Sequence, residues 1–144
     1  MVRRTRQRDA IWLVLERAAR PLGPQEVLDL ARSEVPGLGI ATVYRNIKTL
    51  VSEERLRVVE LPGAPDRYEV AGKHHHHHFH CRSCDKVFEV ETCSGDFDAI
   101  TPAGFELEDH EITLYGLCSL CTAQSRLTTR LATENLRSPD TYSS

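Results

Sequence analysis

Two Cys-x-x-Cys pairs, Cys81-Arg-Ser-Cys84 and Cys118-Ser-Leu-Cys121, stand 33 residues apart in a chain of 144. One such pair can present two thiolates from a tight turn, and two pairs can surround one tetrahedral ion with four sulfurs. A four-sulfur shell leaves no open position, so the expected site is a structural zinc that supplies folding energy to the segment it closes. Thioredoxin-type chemistry needs one CxxC in a βαβ setting, which is absent here; inert buried thiols are the remaining alternative. Cys93 stands apart from both pairs and reads as an ordinary thiol.

The stretch KHHHHHFHCRSC, residues 73–84, leads into the first pair and holds six of the seven histidines. It is internal and flanked by patterned sequence, unlike an affinity tag; a solvated polar run is the plain alternative. In an extended strand successive side chains point to opposite faces. His74, His76, His78 and His80 then share one face, with His75 and His77 on the other, so one strand could offer imidazoles to two separate metals. Glu69, Glu89, Glu91, Asp96, Asp98 and His110 are available to complete the shells. Mixed nitrogen and oxygen donors suit divalent iron, manganese, zinc or nickel.

Upstream, apolar residues recur at helical spacing in three segments: Ile11, Val14, Leu15 and Ala18; Val27, Leu30 and Ala31; Val43, Ile47, Leu50 and Val51. "RPLGP" and "PGLG" separate them, and Pro24 opens the second. "LRVVEL" and "DRYEV" then read as a hairpin around "PGAP". Three helices and a hairpin describe a winged helix-turn-helix over residues 1–72. Beyond it, "HHHHHFHC", "KVFEVE" and "HEITLYGLC" read as strands of a small α/β unit over 73–121, followed by a polar, Ser- and Thr-rich tail over 122–144, partly helical or frayed. The fold class is therefore α+β. Residues 1–57 carry 11 Lys/Arg against 7 Asp/Glu, and residues 58–144 carry 7 against 14. The basic first part suits a polyanion and the acidic, His-rich second part suits cations. No apolar run approaches membrane-spanning length and no secretory signal follows the basic start, so a cytoplasmic protein with no membrane partner is expected.

Four features in combination resemble the ferric uptake regulator (Fur) family of bacterial metal-responsive repressors: "TRQR", "IATVYRNIKTL", the His run ending in "CRSC", and "HEITLYGLCSLC". The resemblance spans roughly residues 3–121. It implies an N-terminal winged helix, a C-terminal dimerisation domain, and a homodimer that binds double-stranded operator DNA when loaded with metal. It places structural zinc on Cys81, Cys84, Cys118 and Cys121, a regulatory site on Glu69, His76, His78 and Glu89, and a third site on His75, His77, Asp96 and His110. The chain departs from the family pattern at Pro21, where many members carry a further regulatory histidine. It departs again in "SEERLR", where a glycine is usual after the recognition helix.

With its apolar stripe inward, the recognition helix turns Tyr44, Arg45 and Lys48 outward toward a major groove, with Thr42 near its start. Arg3, Arg4, Arg6 and Arg8 form a basic arm suited to phosphates or a minor groove. Two imidazoles and two carboxylates favour Fe2+ or Mn2+ as the sensed ion, with Zn2+, and hence a zinc-sensing regulator, as the alternative. The expected role is control of metal uptake and homeostasis genes, without enzymatic activity. Competing classes are a zinc-dependent hydrolase, for which no HExxH-like motif speaks, and a metal store, which leaves the recognition helix unexplained.

Overall fold

A computed structural model of the chain describes residues 2–93 and 95–136, with side chains from Arg4 onward. The Arg3 side chain and the last eight residues of the expected tail thus lie outside the described residues.

Helices α1 (Val2–Ala18), α2 (Pro24–Ala31) and α3 (Ile40–Ser52) pack around Ile11, Leu15, Leu22, Val27, Leu28, Val43, Ile47 and Leu50. The expected stripes hold except in α2, where Leu28 is buried and Leu30 is 48% exposed. The helix is shorter than its pattern suggests. Past its end the backbone tightens into an i→i+3 turn, with the Glu34 amide donating to the Ala31 carbonyl, and the Ser33 hydroxyl caps the Leu30 carbonyl. Its start is fixed by Pro24 and by Glu26, which accepts from the Gly23 amide and pairs with Arg20.

Strands β1 (Leu56–Val59) and β2 (Arg67–Val70) form an antiparallel wing. The wing is tied to the helices by paired backbone bonds between Leu22 and Tyr68, both 2.9 Å. Side chains on β2 alternate. Tyr68 and Val70 pack on the helical core, while Arg67 and Glu69 are buried on the opposite side.

The second unit is a three-stranded sheet in the order β4-β3-β5. Central β3 (His77–Cys81) runs antiparallel to β4 (Val87–Val90) and parallel to β5 (Thr113–Gly116). The connection from β4 to β5 includes a short 3-10 helix, Phe97–Ile100, and the chain closes with α4 (Ser119–Asn135). One expectation shifts: His74, His75 and His76 precede the strand rather than belong to it. The helical part of the tail belongs to α4, which runs across residue 121 without a break. Val59, Leu61 and Val87 form a second small core where the wing meets β4.

The turn after α3 carries a local conflict. The Arg55 amide bonds the Leu50 carbonyl and the Glu54 amide bonds that of Val51, the paired pattern of a helix ending in a left-handed residue. That residue is Glu54, at φ +58°. A side chain there crowds the backbone at a cost of about 1 kcal/mol or slightly more, which glycine avoids. Glu54→Gly is therefore expected to raise stability by roughly 1 kcal/mol in urea denaturation, with no change in metal content.

Candidate metal centres and DNA-facing helix

Cys81 ends β3, Cys84 sits in the turn to β4, Cys118 caps α4 and Cys121 lies in its first turn. All four sulfurs lie within 4.8 Å of one another. The Cys84 and Cys118 sulfurs are 3.8 Å apart, close to the separation of about 3.8 Å that 2.3 Å bonds at a tetrahedral angle require. Backbone amides of Cys118 and Cys84 donate to the Cys81 sulfur at 3.3 and 3.5 Å. These bonds bring the Cys81 pKa down to about 6. The Ser83 hydroxyl would lower Cys121, but the neighbouring Cys118 thiol and burial outweigh it and push Cys121 up to about 11. One thiolate is thus stabilised by the backbone alone, whereas full ionisation of the group calls for a cation. The donor set and spacing fit zinc.

A second group joins the wing to the sheet. Glu69 on β2 is 1% exposed, and its carboxylate lies 2.9 and 3.1 Å from His76 Nε2 and 3.2 Å from His78 Nε2. His76 Nδ1 is 2.7 Å from the His74 carbonyl, which can only accept, so Nδ1 carries a proton. In a neutral ring Nε2 then presents a lone pair to two carboxylate oxygens. Either an imidazolium or a cation is needed to make that contact attractive, and the residues fit a divalent ion. Burial would raise the Glu69 pKa, but hydrogen bonds and charge from His78 and His76 hold it below the usual carboxylate value. Glu89 stands beside this group: its Oε1 is 3.5 Å from His76 Nε2 and 2.7 Å from the Lys73 ammonium. Lys73 was not singled out in the sequence, yet it is the cation that Glu89 meets here.

The third group departs from the expected set. His75, His77 and His110 converge, but Asp96 caps the 3-10 helix by accepting from the Asp98 amide. Cys93 takes its place, its sulfur 3.2 Å from His110 Nε2. His75 Nε2 is 3.2 Å from Nε2 of both His77 and His110. Burial first, then the adjacent imidazoles, push His77 below its ordinary value. The even and odd histidines do separate to two sides, though His74 and His80 join neither group. His80 instead bonds Asp85 at 2.6 Å.

A further contact escaped the sequence. Arg67 is 5% exposed and reaches from the wing to the first cysteine turn, bonding the Asp85 carbonyl at 2.7 Å and its carboxylate at 2.9 Å. His80 first, then Arg67, holds the Asp85 carboxyl below its usual value. Only the alternation of charged and apolar residues in "DRYEV" could have marked Arg67 as facing away from the helical core.

On α3, Tyr44, Arg45 and Lys48 are exposed and Thr42 is half-buried, its hydroxyl accepting from Arg45 at 3.1 Å. A groove beside them is lined by Arg4, Gln7, Thr42, Arg45, Asn46 and Thr49. Within the basic arm, Arg6 bonds the Glu34 carbonyl and Arg8 pairs with Glu53. Arg4 is thus the described arm residue that lines this groove, while Arg8 sits at the C-terminal end of the same helix.

A profile of the Ferric uptake regulator family matches residues 1–115. The Ferric uptake regulation protein of Campylobacter jejuni is 32% identical over 125 residues, covering 83% of this chain and 80% of that protein. The Zinc uptake regulation protein of Mycobacterium tuberculosis is 34% identical over 123 residues, covering 83% and 95%. Among solved structures, the Helicobacter pylori ferric uptake regulator Fur, described as having three functional metal binding sites, superposes with a TM-score of 0.63 at 27% identity, covering 81% of this chain and 79% of that one. A zinc-bound manganese uptake regulator superposes at 0.68 with 26% identity, covering 78% and 87%. On the family profile and on relatives above 30% identity, this chain belongs to the ferric uptake regulator family.

Proposed function

We propose that this chain is a repressor of metal uptake and homeostasis genes, binding operator DNA as a homodimer when a divalent cation occupies the Glu69 group. Family membership makes it a metal-responsive transcriptional regulator and not an enzyme, which removes the hydrolase reading. The observation that carries the mechanism is the buried Glu69 carboxylate. It belongs to the wing of the DNA-binding unit, yet its partners His76 and His78 lead into and lie on the central strand of the other unit.

When bound, a divalent cation would supply positive charge that holds Glu69, His76 and His78 together. Glu69 ties β2, and through the Leu22–Tyr68 bridge the helices, to the start of β3. Lys73 pairs with Glu89, and Glu89 is close enough to His76 to serve as a further ligand if Lys73 gives way. Ligand binding that favours one arrangement of the two units shifts the population toward it. The favoured arrangement is the one whose recognition helices match operator spacing.

Oxygen and imidazole donors without sulfur support iron(II) or manganese(II) at Glu69, His76, His78 and Glu89. The kinship with a zinc uptake regulation protein supports zinc as the second reading. Cys81, Cys84, Cys118 and Cys121 hold the structural zinc, and His75, His77 and His110 contribute to a third metal site. Tyr44, Arg45 and Lys48 meet the major groove, with Thr42, Arg4 and the rest of the arm on the backbone. For the homodimer, β5 is an open sheet edge and Leu114, Leu120, Leu127 and Leu131 are exposed on it and on α4, a surface suited to a second copy. No helix among the described residues is long and apolar enough to cross a membrane.

Three outcomes test this reading. Glu69→Ala combined with His76→Ala is expected to remove the metal dependence of binding to the protein's own promoter in a gel shift; unchanged metal-dependent affinity rejects the clamp. Arg45→Ala is expected to weaken operator binding by about 1–3 kcal/mol while Arg4→Ala mainly reduces its salt dependence, both read by titration at several salt concentrations. Cys84→Ser is expected to cost about one zinc per chain and several kcal/mol of stability in the second unit, read by elemental analysis and thermal melting.

A further inference from the structure

We propose that Cys93 is a metal ligand, completing with His75, His77 and His110 a thiolate–imidazole site that takes a zinc-class cation rather than iron(II) or manganese(II). The inference rests on reading the His75 group as a metal site, and replaces the expected carboxylate of Asp96 with a sulfur. Four donor atoms, three imidazole nitrogens and one sulfur, lie within 4.8 Å of one another. Bonds of about 2.0–2.1 Å to nitrogen at tetrahedral angles place nitrogens about 3.3 Å apart, and the two measured separations at His75 are both 3.2 Å.

Hydrogen bonding alone leaves this arrangement short. An imidazole nitrogen carries either one proton or one lone pair. His75 Nε2 faces two ring nitrogens, and His110 Nε2 faces both His75 and the Cys93 sulfur. A single proton on either atom cannot be directed at both of its neighbours, whereas a cation at the centre gives each lone pair its own target.

The chain path explains why Cys93 arrives there. β4 ends at Val90, and three residues later the backbone passes His110; Phe97 stacks on His110 with ring centroids 4.2 Å apart. Asp96 is engaged at the start of the 3-10 helix, where it accepts from the Asp98 amide, and is not among the four gathered donors. The sulfur also separates this group chemically from the Glu69 group, which has oxygen and nitrogen donors only. Thiolate favours zinc over the harder iron(II) and manganese(II) ions beyond the ordinary affinity order. Cys93 and His75 are exposed, so the cation would exchange with solvent more readily than one closed in by four cysteines.

The test uses full-length protein retaining its structural zinc, with Glu69→Ala and His76→Ala added to silence the neighbouring group. Cobalt(II) is titrated first and its sulfur-to-metal charge-transfer absorption recorded; zinc is then titrated in competition. Iodoacetamide labelling, mapped by peptide mass, reports the Cys93 thiol directly. The expected results are one charge-transfer-active cobalt per chain, protection of Cys93 from alkylation by zinc, and little protection by manganese. Cys93→Ser removes the absorption and weakens zinc roughly 100-fold, while Asp96→Ala changes neither. A site lost in Asp96→Ala but intact in Cys93→Ser overturns the proposal, as does full Cys93 reactivity in saturating zinc. His110→Ala separates the two levels of inference. If it abolishes cation binding while Cys93→Ser does not, the metal site stands and the sulfur ligand falls; if it changes nothing, the metal site itself falls.

Discussion

The end of β3 is where the second unit acquires its order. Cys81 closes the strand, its sulfur accepts amides from both the following turn and the start of α4, and its own amide bonds the Lys86 carbonyl across the turn to β4. Few large side chains are buried in this unit, where Val87 is, among the described residues, the one fully buried apolar side chain besides Cys81 and Cys121. A cluster of sulfurs therefore stands where a larger domain would have a hydrophobic centre. Because β3 is held at that end, the histidines at its other end have fixed directions. Their alternation becomes a geometric fact rather than a statistical tendency.

The wing is coupled to this sheet through the two faces of β2. Tyr68 and Val70 pack against the helices, whereas Arg67 and Glu69 are spent on the second unit: Arg67 on the cysteine turn, Glu69 on the histidines. Burying two opposite charges two residues apart is costly unless each is paired. Asp85 and the imidazoles meet that demand, leaving Arg67 Nε as the buried polar side-chain atom without a partner among the described residues. Val59, Leu61 and Val87 add an apolar contact to the same junction. The arginine contact is made between side chain and turn within the chain itself, with no metal-ligand type of side chain other than Asp85 involved. On the proposed function, the Glu69 tie would depend on a cation and the Arg67 tie would not, so the junction would be biased without being dismantled.

Much of this was legible beforehand because strong local signals coincide. Three helices, a hairpin and the CxxC pairs all follow from spacing, turn residues and period. What escaped depends on tertiary partners. The pattern of α2 admits either Leu28 or Leu30 on the inner face, and only packing against α1 and α3 decides for Leu28. Glu89 has the chemistry of a ligand, but in the structure it pairs with Lys73, sixteen residues away in sequence. Cys93 looked isolated because the paired cysteines claim attention and because the path after β4 is irregular. Its proximity to His110 follows from how that connection folds back beside β3, which no periodicity encodes.

The two histidine groups together show how adjacent residues can be given different chemistry. His75 and His76 are consecutive, yet one turns toward a sulfur and two imidazoles while the other turns toward buried carboxylate. Strand alternation separates only His77 from His78; His75 and His76 precede β3, and there it is the bend at His75 that sends consecutive side chains to different groups. The donors that complete each group then come from unrelated parts of the chain: Glu69 from the wing, Cys93 and His110 from the two ends of the β4–β5 connection. Only the first of these bridges to the DNA-binding unit. On the proposed function, a cation at the Glu69 group would therefore act on the relation between units, whereas one at the Cys93 group would act within the second unit, on the connection between β4 and β5. The difference in reach follows from which segments supply the ligands, whatever ion each group holds.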